Sequence, residues 1–161
     1  LECFRKRPFM WANHVWNMFD FAADARDQGG EPGMNHKGLV TFDRKIKKDS
    51  FYLYKAYWNQ GPMVHIAGKR YVNRCEKVTT VKVYTNCESV TLLVDGKPVG
   101  TKGGKNVLTF RVTLGKDTRV EAVAGDARDA AVFSFTPNPV ESYKLNKKIA
   151  GGGNWTKEEG K

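Results

Sequence analysis

The 161-residue chain is poor in the features on which several functional classes depend. Cysteine occurs three times, as Cys3, Cys75 and Cys87, an odd number at spacings that fit no metal-ligand pattern. This argues against a zinc knuckle or a disulfide framework and leaves open a single Cys75–Cys87 bridge. No apolar run approaches the ~20 residues of a membrane helix, and the first residues lack the succession of a signal peptide. The chain opens Leu1-Glu2-Cys3-Phe4, without Met and in what reads as mid-helix, so the expectation is a piece of a larger protein. A missing signal then says nothing of compartment; a bacterial periplasmic or secreted setting stays open. A basic arm is also lacking. The net charge of +10 is spread along the chain, with 10 basic against 7 acidic residues in 1–58, 12 against 7 in 59–137 and 5 against 3 in 138–161. Nucleic-acid readers concentrate such charge on one face or segment, so solubility explains it more cheaply, and no nucleic-acid partner is expected.

What the chain does have is divided unevenly. Twelve of its 19 aromatic residues fall in residues 1–58, a density that calls for large neighbours. Leu1–Arg7 reads as the end of a helix stopped by Pro8. Phe9–Phe21 is apolar on nearly every side and reads as a strand buried on both faces, as in parallel sheets. Residues 22–38, with four glycines and a proline, read as a long exposed loop, a feature that usually serves a site. Leu39–Phe42 is short and extended. In Lys47–Trp58, Phe51, Tyr54 and Trp58 recur at helical spacing behind Asp49 in the first turn. Helix, strand, loop and helix make one unit of a parallel α/β fold, too little to close a sheet.

From Gly61 the pattern turns to short alternating runs: Met63–Ile66, Thr79–Tyr84, Val90–Val94, Val99–Lys102, Val107–Leu114, Thr118–Ala124 and Ala130–Phe135. Asp95-Gly96 after Val94 is a strong hairpin cue. About seven strands in about 80 residues is the pattern of an immunoglobulin-like sandwich. The expected organisation is therefore an α/β segment over 1–58, an all-β sandwich over 59–137, and a polar, Gly-rich linker or disordered tail over 138–161.

Parallel α/β barrels carry their functional groups at the C-terminal ends of strands and in the following loops. Trp16, Asn17, Asp20 and the 22–38 loop would then lie at the working face. Trp16 suits stacking on the apolar face of a sugar ring, against the blander reading of a core residue. In an extended segment Asn35 and Lys37 point to the same side, and an amide with an ammonium suits hydroxyl or carboxylate oxygens. The competing reading is a solvated lysine beside a turn asparagine. His36 points the other way and has no paired carboxylate or Ser nearby in sequence, so it receives no catalytic role. Asp20, Asp24, Asp27, Glu31 and Asp43 show no pair brought about 5 Å apart, the requirement of a retaining glycosidase. Asp43-Arg44 reads as structural.

Arg7-Pro8-Phe9-Met10-Trp11, Val15–Asp24 (VWNMFDFAAD), Gly33–Lys45 (GMNHKGLVTFDRK) and Lys48–Trp58 (KDSFYLYKAYW) together closely resemble glycoside hydrolase family 2, most nearly its β-galactosidase branch. Val81–Asn86 and Val90–Gly96 resemble the immunoglobulin-like domain that follows the barrel in such enzymes. The resemblance implies that 1–58 are the last part of a (β/α)8 barrel and that the whole enzyme cleaves terminal β-glycosides with retention. Its acid/base and nucleophile glutamates would lie upstream of Leu1, leaving no catalytic residue in this chain and the chain inert by itself. Trp16 matches a Trp lining the sugar subsite. Asn35 and Lys37 match an Asn-x-Lys element that contacts the substrate carboxylate in β-glucuronidases of the family and is also present in the galactosidase-like branch. A terminal β-galactoside is the preferred substrate class and a β-glucuronide the alternative; a non-catalytic carbohydrate-binding sandwich is the reading from another class. No cofactor, no metal ligand and no membrane insertion are expected, and a homo-oligomer of the whole enzyme is compatible with the reading.

Overall fold

The computed structural model describes residues 2–26 and 31–138, divided into two compact units between Lys48 and Asp49. Regular structure is sparse among the described residues of the first unit. Helix α1 (Glu2–Arg5) is followed by irregular chain, then by β1 (Phe21–Ala22) and β2 (Met34–Asn35), which pair antiparallel with Phe21 opposite Asn35. The expected strand over Phe9–Phe21 is not continuous: residues 9–18 are irregular, and Phe19 makes one parallel bridge to Val40. Apolar sequence alone does not make a parallel strand, which exists only where hydrogen-bonded neighbours flank it. Only residues 17–20 find one. Leu39 N–H donates to Asn17 O (3.1 Å), Val40 N–H to Met18 O (2.9 Å), and Asp20 N–H to Val40 O (2.9 Å). The large side chains upstream stay in solvent, Phe9 at 78% and Trp11 at 94% exposure.

The second unit begins with α2 (Asp49–Trp58) and continues with β3 (Val64–Ile66), β4 (Asn73–Arg74), β5 (Val78–Thr85), β6 (Ser89–Val94), β7 (Lys97–Gly103), β8 (Asn106–Thr113), β9 (Thr118–Ala124) and β10 (Ala127–Phe135). These strands form a five-stranded sheet in the order β4-β10-β9-β6-β7 and a three-stranded sheet in the order β3-β5-β8. All pairings are antiparallel except β4 with β10. Period-2 alternation places Val81 and Val83 of β5, Leu108, Phe110 and Val112 of β8, Val90 and Leu92 of β6, Val120 and Ala122 of β9, and Phe133 of β10 in one apolar cluster. The unit is thus a β-sandwich with a sealed core. Asp95 and Gly96 both have positive φ (48° and 77°), the backbone a tight two-residue hairpin requires.

Two expectations meet the structure in this unit. The helix expected from Phe51, Tyr54 and Trp58 forms, with Phe51 and Tyr54 half-buried and Trp58 62% exposed, while Ala56 is buried and the Tyr52 ring stacks on His65 at 3.7 Å. Asp49, Tyr52 and Ala56 are the residues that share this face at helical spacing. All three cysteines are free thiols, so no Cys75–Cys87 bridge forms. The tail expected over 138–161 falls, after Asn138, outside the described residues.

Candidate functional site

The first unit is organised around one buried carboxylate. Asp20 is 2% exposed and its Oδ1 accepts both Gly38 N–H (2.8 Å) and the Lys48 ammonium (2.6 Å). Lys48 Nζ also donates to His36 O (2.9 Å), and His36 Nδ1 lies 3.6 Å from Asp20 Oδ2. Burial alone would raise the acid's pKa; the Lys48 hydrogen bond, the Gly38 N–H and the lysine's charge outweigh it and hold Asp20 below the usual carboxylate value. The carboxylate missing from His36's sequence neighbourhood is thus supplied from 16 residues upstream, which corrects the expectation of an unpaired histidine.

Gly38 is demanded by this packing. A Cβ at that position would sit 2.1 Å from Asp20 N and 2.2 Å from Phe19 C, both backbone atoms that cannot swing aside. The chain over Gly38–Val40 therefore runs against 17–20 at closest approach.

Trp16 is 71% exposed, with its ring edge-on to Phe21 at 6.0 Å. It is a surface residue, not core. Phe21 in turn pairs with Asn35, which is 1% exposed. Asn35 Oδ1 accepts Lys37 N–H at 3.0 Å, closing an Asx turn. The extended geometry expected for 35–37 is replaced by this turn, because β2 ends at Asn35. The turn fixes the orientation of the buried Asn35 amide, whose oxygen accepts the Lys37 N–H. Lys37 is exposed. The structure brings Trp16 and Asn35 together through Phe21 and holds Lys37 to Asn35 through the backbone. The exposed Trp16 indole and Lys37 ammonium are the groups of this set that reach the surface, an apolar platform and a charged donor suited to a ring that carries acceptor oxygens, with buried Asn35 fixing the backbone that bears Lys37.

A second polar cluster, in the sandwich unit, was not legible in the sequence. His65 Nε2 is 3.1 Å from Asp49 Oδ1 and its Nδ1 3.5 Å from Asp129 Oδ2. Asp49 Oδ2 accepts Gly68 N–H (2.8 Å), Asp129 Oδ2 accepts Ile66 N–H (2.7 Å), and Lys69 pairs with Asp129 Oδ1. The His65 hydrogen bond is the main cause holding the Asp49 carboxyl below its ordinary value. Every carboxylate oxygen is thereby occupied, so the cluster fastens α2 to β3 and presents nothing to a ligand. Among the described residues no group of His, Cys, Asp and Glu is arranged to hold a metal ion.

Comparison with known proteins places this geometry. Residues 76–130 match a family described as a domain of unknown function (DUF4982). A β-glucuronidase of Bacteroides fragilis is 50% identical over 96 residues, covering 59% of this chain and 14% of that protein. An FMN-binding β-glucuronidase from Faecalibacterium prausnitzii L2-6 superposes with a TM-score of 0.86 at 47% identity, over 90% of this chain and 23% of that one. A Bacteroides fragilis protein assigned as a β-galactosidase superposes at 0.76 with 32% identity, over 83% of this chain and 21% of that one. This chain is homologous to the glycoside hydrolases of family 2. It spans less than a quarter of the length of these family 2 relatives.

Proposed function

We propose that this chain is the part of a family 2 exo-β-glycosidase that completes the sugar subsite, and that the sugar is a β-glucuronide. In this reading residues 1–58 are the end of a (β/α)8 barrel, 59–137 an immunoglobulin-like domain, and the two catalytic glutamates belong to the enzyme upstream of Leu1. The observation that carries the choice of sugar is the Asx turn. With its N–H tied to Asn35 Oδ1, exposed Lys37 is held in place and meets a ligand with a positive charge, which answers a carboxylate better than a neutral hydroxymethyl group. The names of the relatives point the same way, and together these reverse the preference for galactoside drawn from sequence. Trp16 supplies the stacking face.

Hydrogen bonds to a charged partner contribute about 1.5–3 kcal/mol, roughly 10- to 150-fold in affinity. The test is turnover of aryl β-glucuronide against aryl β-galactoside by the full-length enzyme. Preference for glucuronide, with Lys37→Ala lowering its kcat/KM by about 10- to 100-fold and sparing the galactoside, is the expected result. Preference for the galactoside, for which the Bacteroides fragilis structural relative speaks, overturns the choice of sugar.

The flavin of the Faecalibacterium relative is not carried over. A groove of about 290 Å³ on the sandwich unit is lined by Tyr71, Asn73, Arg74, Cys75, Glu76 and Thr79. Its Arg74 already donates to Tyr71 O and Gly68 O and lies over the Phe133 ring, and Glu76 would face a phosphate with like charge.

A further inference from the structure

The geometry points to Asp20 as a positioning residue for sugar selectivity: with Lys48 it clamps the Asn35–Gly38 turn in the register that aims Asn35 and Lys37 at the substrate. The inference rests on the reading of Asn35 and Lys37 as contacts to the sugar's carboxylate. Three contacts straddle Lys37. On one side Lys48 Nζ holds His36 O and Asp20 Oδ2 faces His36 Nδ1; on the other Asp20 Oδ1 holds Gly38 N–H. The turn is pressed so closely on Asp20 that no side chain fits at Gly38. The same stretch of chain carries Trp16: Asn17 O receives Leu39 N–H, so one anchor sets where the stacking ring and the donor pair lie relative to each other.

Apart from the Asx turn at Asn35 and the backbone bonds of Leu39, little regular structure holds this loop. Residues 36–39 belong to no strand, and β2 supplies two residues of pairing. Placing a charged carboxylate at 2% exposure is costly unless it is paired and hydrogen-bonded, and here both requirements are met by groups of the turn and by Lys48. The pair is therefore a local device that converts burial into a defined turn. Displacements near 1 Å at a binding contact cost up to about 100-fold in rate, so a loosened turn should erase selectivity before it erases turnover.

The experiment uses the full-length enzyme and two readouts. The first is the ratio of kcat/KM for aryl β-glucuronide to that for aryl β-galactoside. Asp20→Asn, which keeps an acceptor for Gly38 N–H but removes the charge facing Lys48, is expected to lower this ratio by about tenfold or more. Lys48→Met should do the same and Lys48→Arg should largely rescue it. In the Lys37→Ala background, Asp20→Asn should add little. The second readout is amide exchange: peptides over 36–40 should exchange at least about tenfold faster in Asp20→Asn, with peptides over 107–113 unchanged.

If Asp20→Asn lowers both substrates equally, or its effect multiplies with that of Lys37→Ala, the positioning role is overturned while the reading of Lys37 stands. If Lys37→Ala leaves the ratio unchanged, the reading of the sugar contact fails, and unchanged exchange over 36–40 then overturns the clamp independently. Should Asp20→Asn fail to accumulate, the Lys48→Met and Lys48→Arg pair decides the question by the same two readouts.

Discussion

The two units of this chain are built on opposite principles. In residues 49–138 most fully buried side chains are apolar, with Phe133, Ile66, Leu92, Val83 and Val90 at 0% exposure, and backbone hydrogen bonds run along continuous ladders. In residues 2–48 the aromatic side chains are in solvent, and the buried groups are Asp20 and Asn35 beside Leu39 and Val40. An apolar core is non-directional and holds a sheet against water wherever the alternation is right. A buried carboxylate is directional: it accepts particular N–H groups and no others. Among the described residues the first unit therefore has a turn defined by polar contacts rather than by an apolar core.

The largest expected effect strikes the sandwich. Phe133→Ala removes a fully buried ring beneath Arg74 and should cost about 3–5 kcal/mol, a large share of the roughly 5–15 kcal/mol that folds a typical domain. Denaturant unfolding of the chain should show the midpoint falling; a change below about 1 kcal/mol would mean that the core is not what stabilises this unit.

Gly38→Ala should rank second and stay local. Its Cβ must displace the Asp20 backbone, a cost of about 1–3 kcal/mol by analogy with overpacked cores. Exchange over 36–40 should accelerate while the unfolding midpoint of the sandwich holds. A sandwich that loosens in step would erase the distinction between the units.

Much of this contrast could be read from the chain itself, for reasons that differ between the units. Alternation is a local signal, so the strands around Val81, Leu92, Phe110, Val120 and Phe133 are found within a residue or three of their expected bounds. Strand β4, two residues paired in parallel with Ser134 and Phe135, has no local signal at all. The apolar run at Phe9–Trp16 misleads, because strand formation there depends on partners that sequence composition does not reveal. Asp20 could be placed at the expected working face, but as one carboxylate among five it carried no sign of being the buried one. Its partners lie 18 and 28 residues away, and a buried acid is recognisable only when the cation that reaches it is known. Trp16, Asn35 and Lys37 could be raised as candidates by type and spacing and singled out by the family resemblance, whereas the Asx turn that joins Asn35 to Lys37 could not be seen, since an extended backbone and a turn place the same residues differently.

Acid should separate the units next. Asp20 titrates below its unfolded value near 3.8, so it contributes stability at pH values above about 4, and that contribution is lost as pH falls through its folded value. Asp49, also lowered, behaves alike in the sandwich, but there the apolar core persists when the His65 contact weakens. Between pH 5 and pH 3, after correction for intrinsic rates, exchange over 36–40 should rise before exchange over 107–113. Simultaneous loss would show that the sandwich leans on its polar clamp as heavily as the first unit does on Asp20.

The smallest effect in this chain belongs to Trp11, and it is the most informative about the barrel. At 94% exposure its replacement by Ser should shift the stability of the isolated chain by no more than about 0.5 kcal/mol. In the full-length enzyme the barrel reading gives the same side chain neighbours, since a parallel strand is covered on both faces. There Trp11→Ser should cost about 3 kcal/mol or more, in the range of large-to-small core changes, and lower the Tm accordingly. One substitution in two proteins, silent in one and severe in the other, would assign residues 9–16 to a sheet that this chain cannot build from its own strands. Equal and small effects in both proteins would remove the barrel assignment, leaving Asp20 and its turn as the organised part of the first unit.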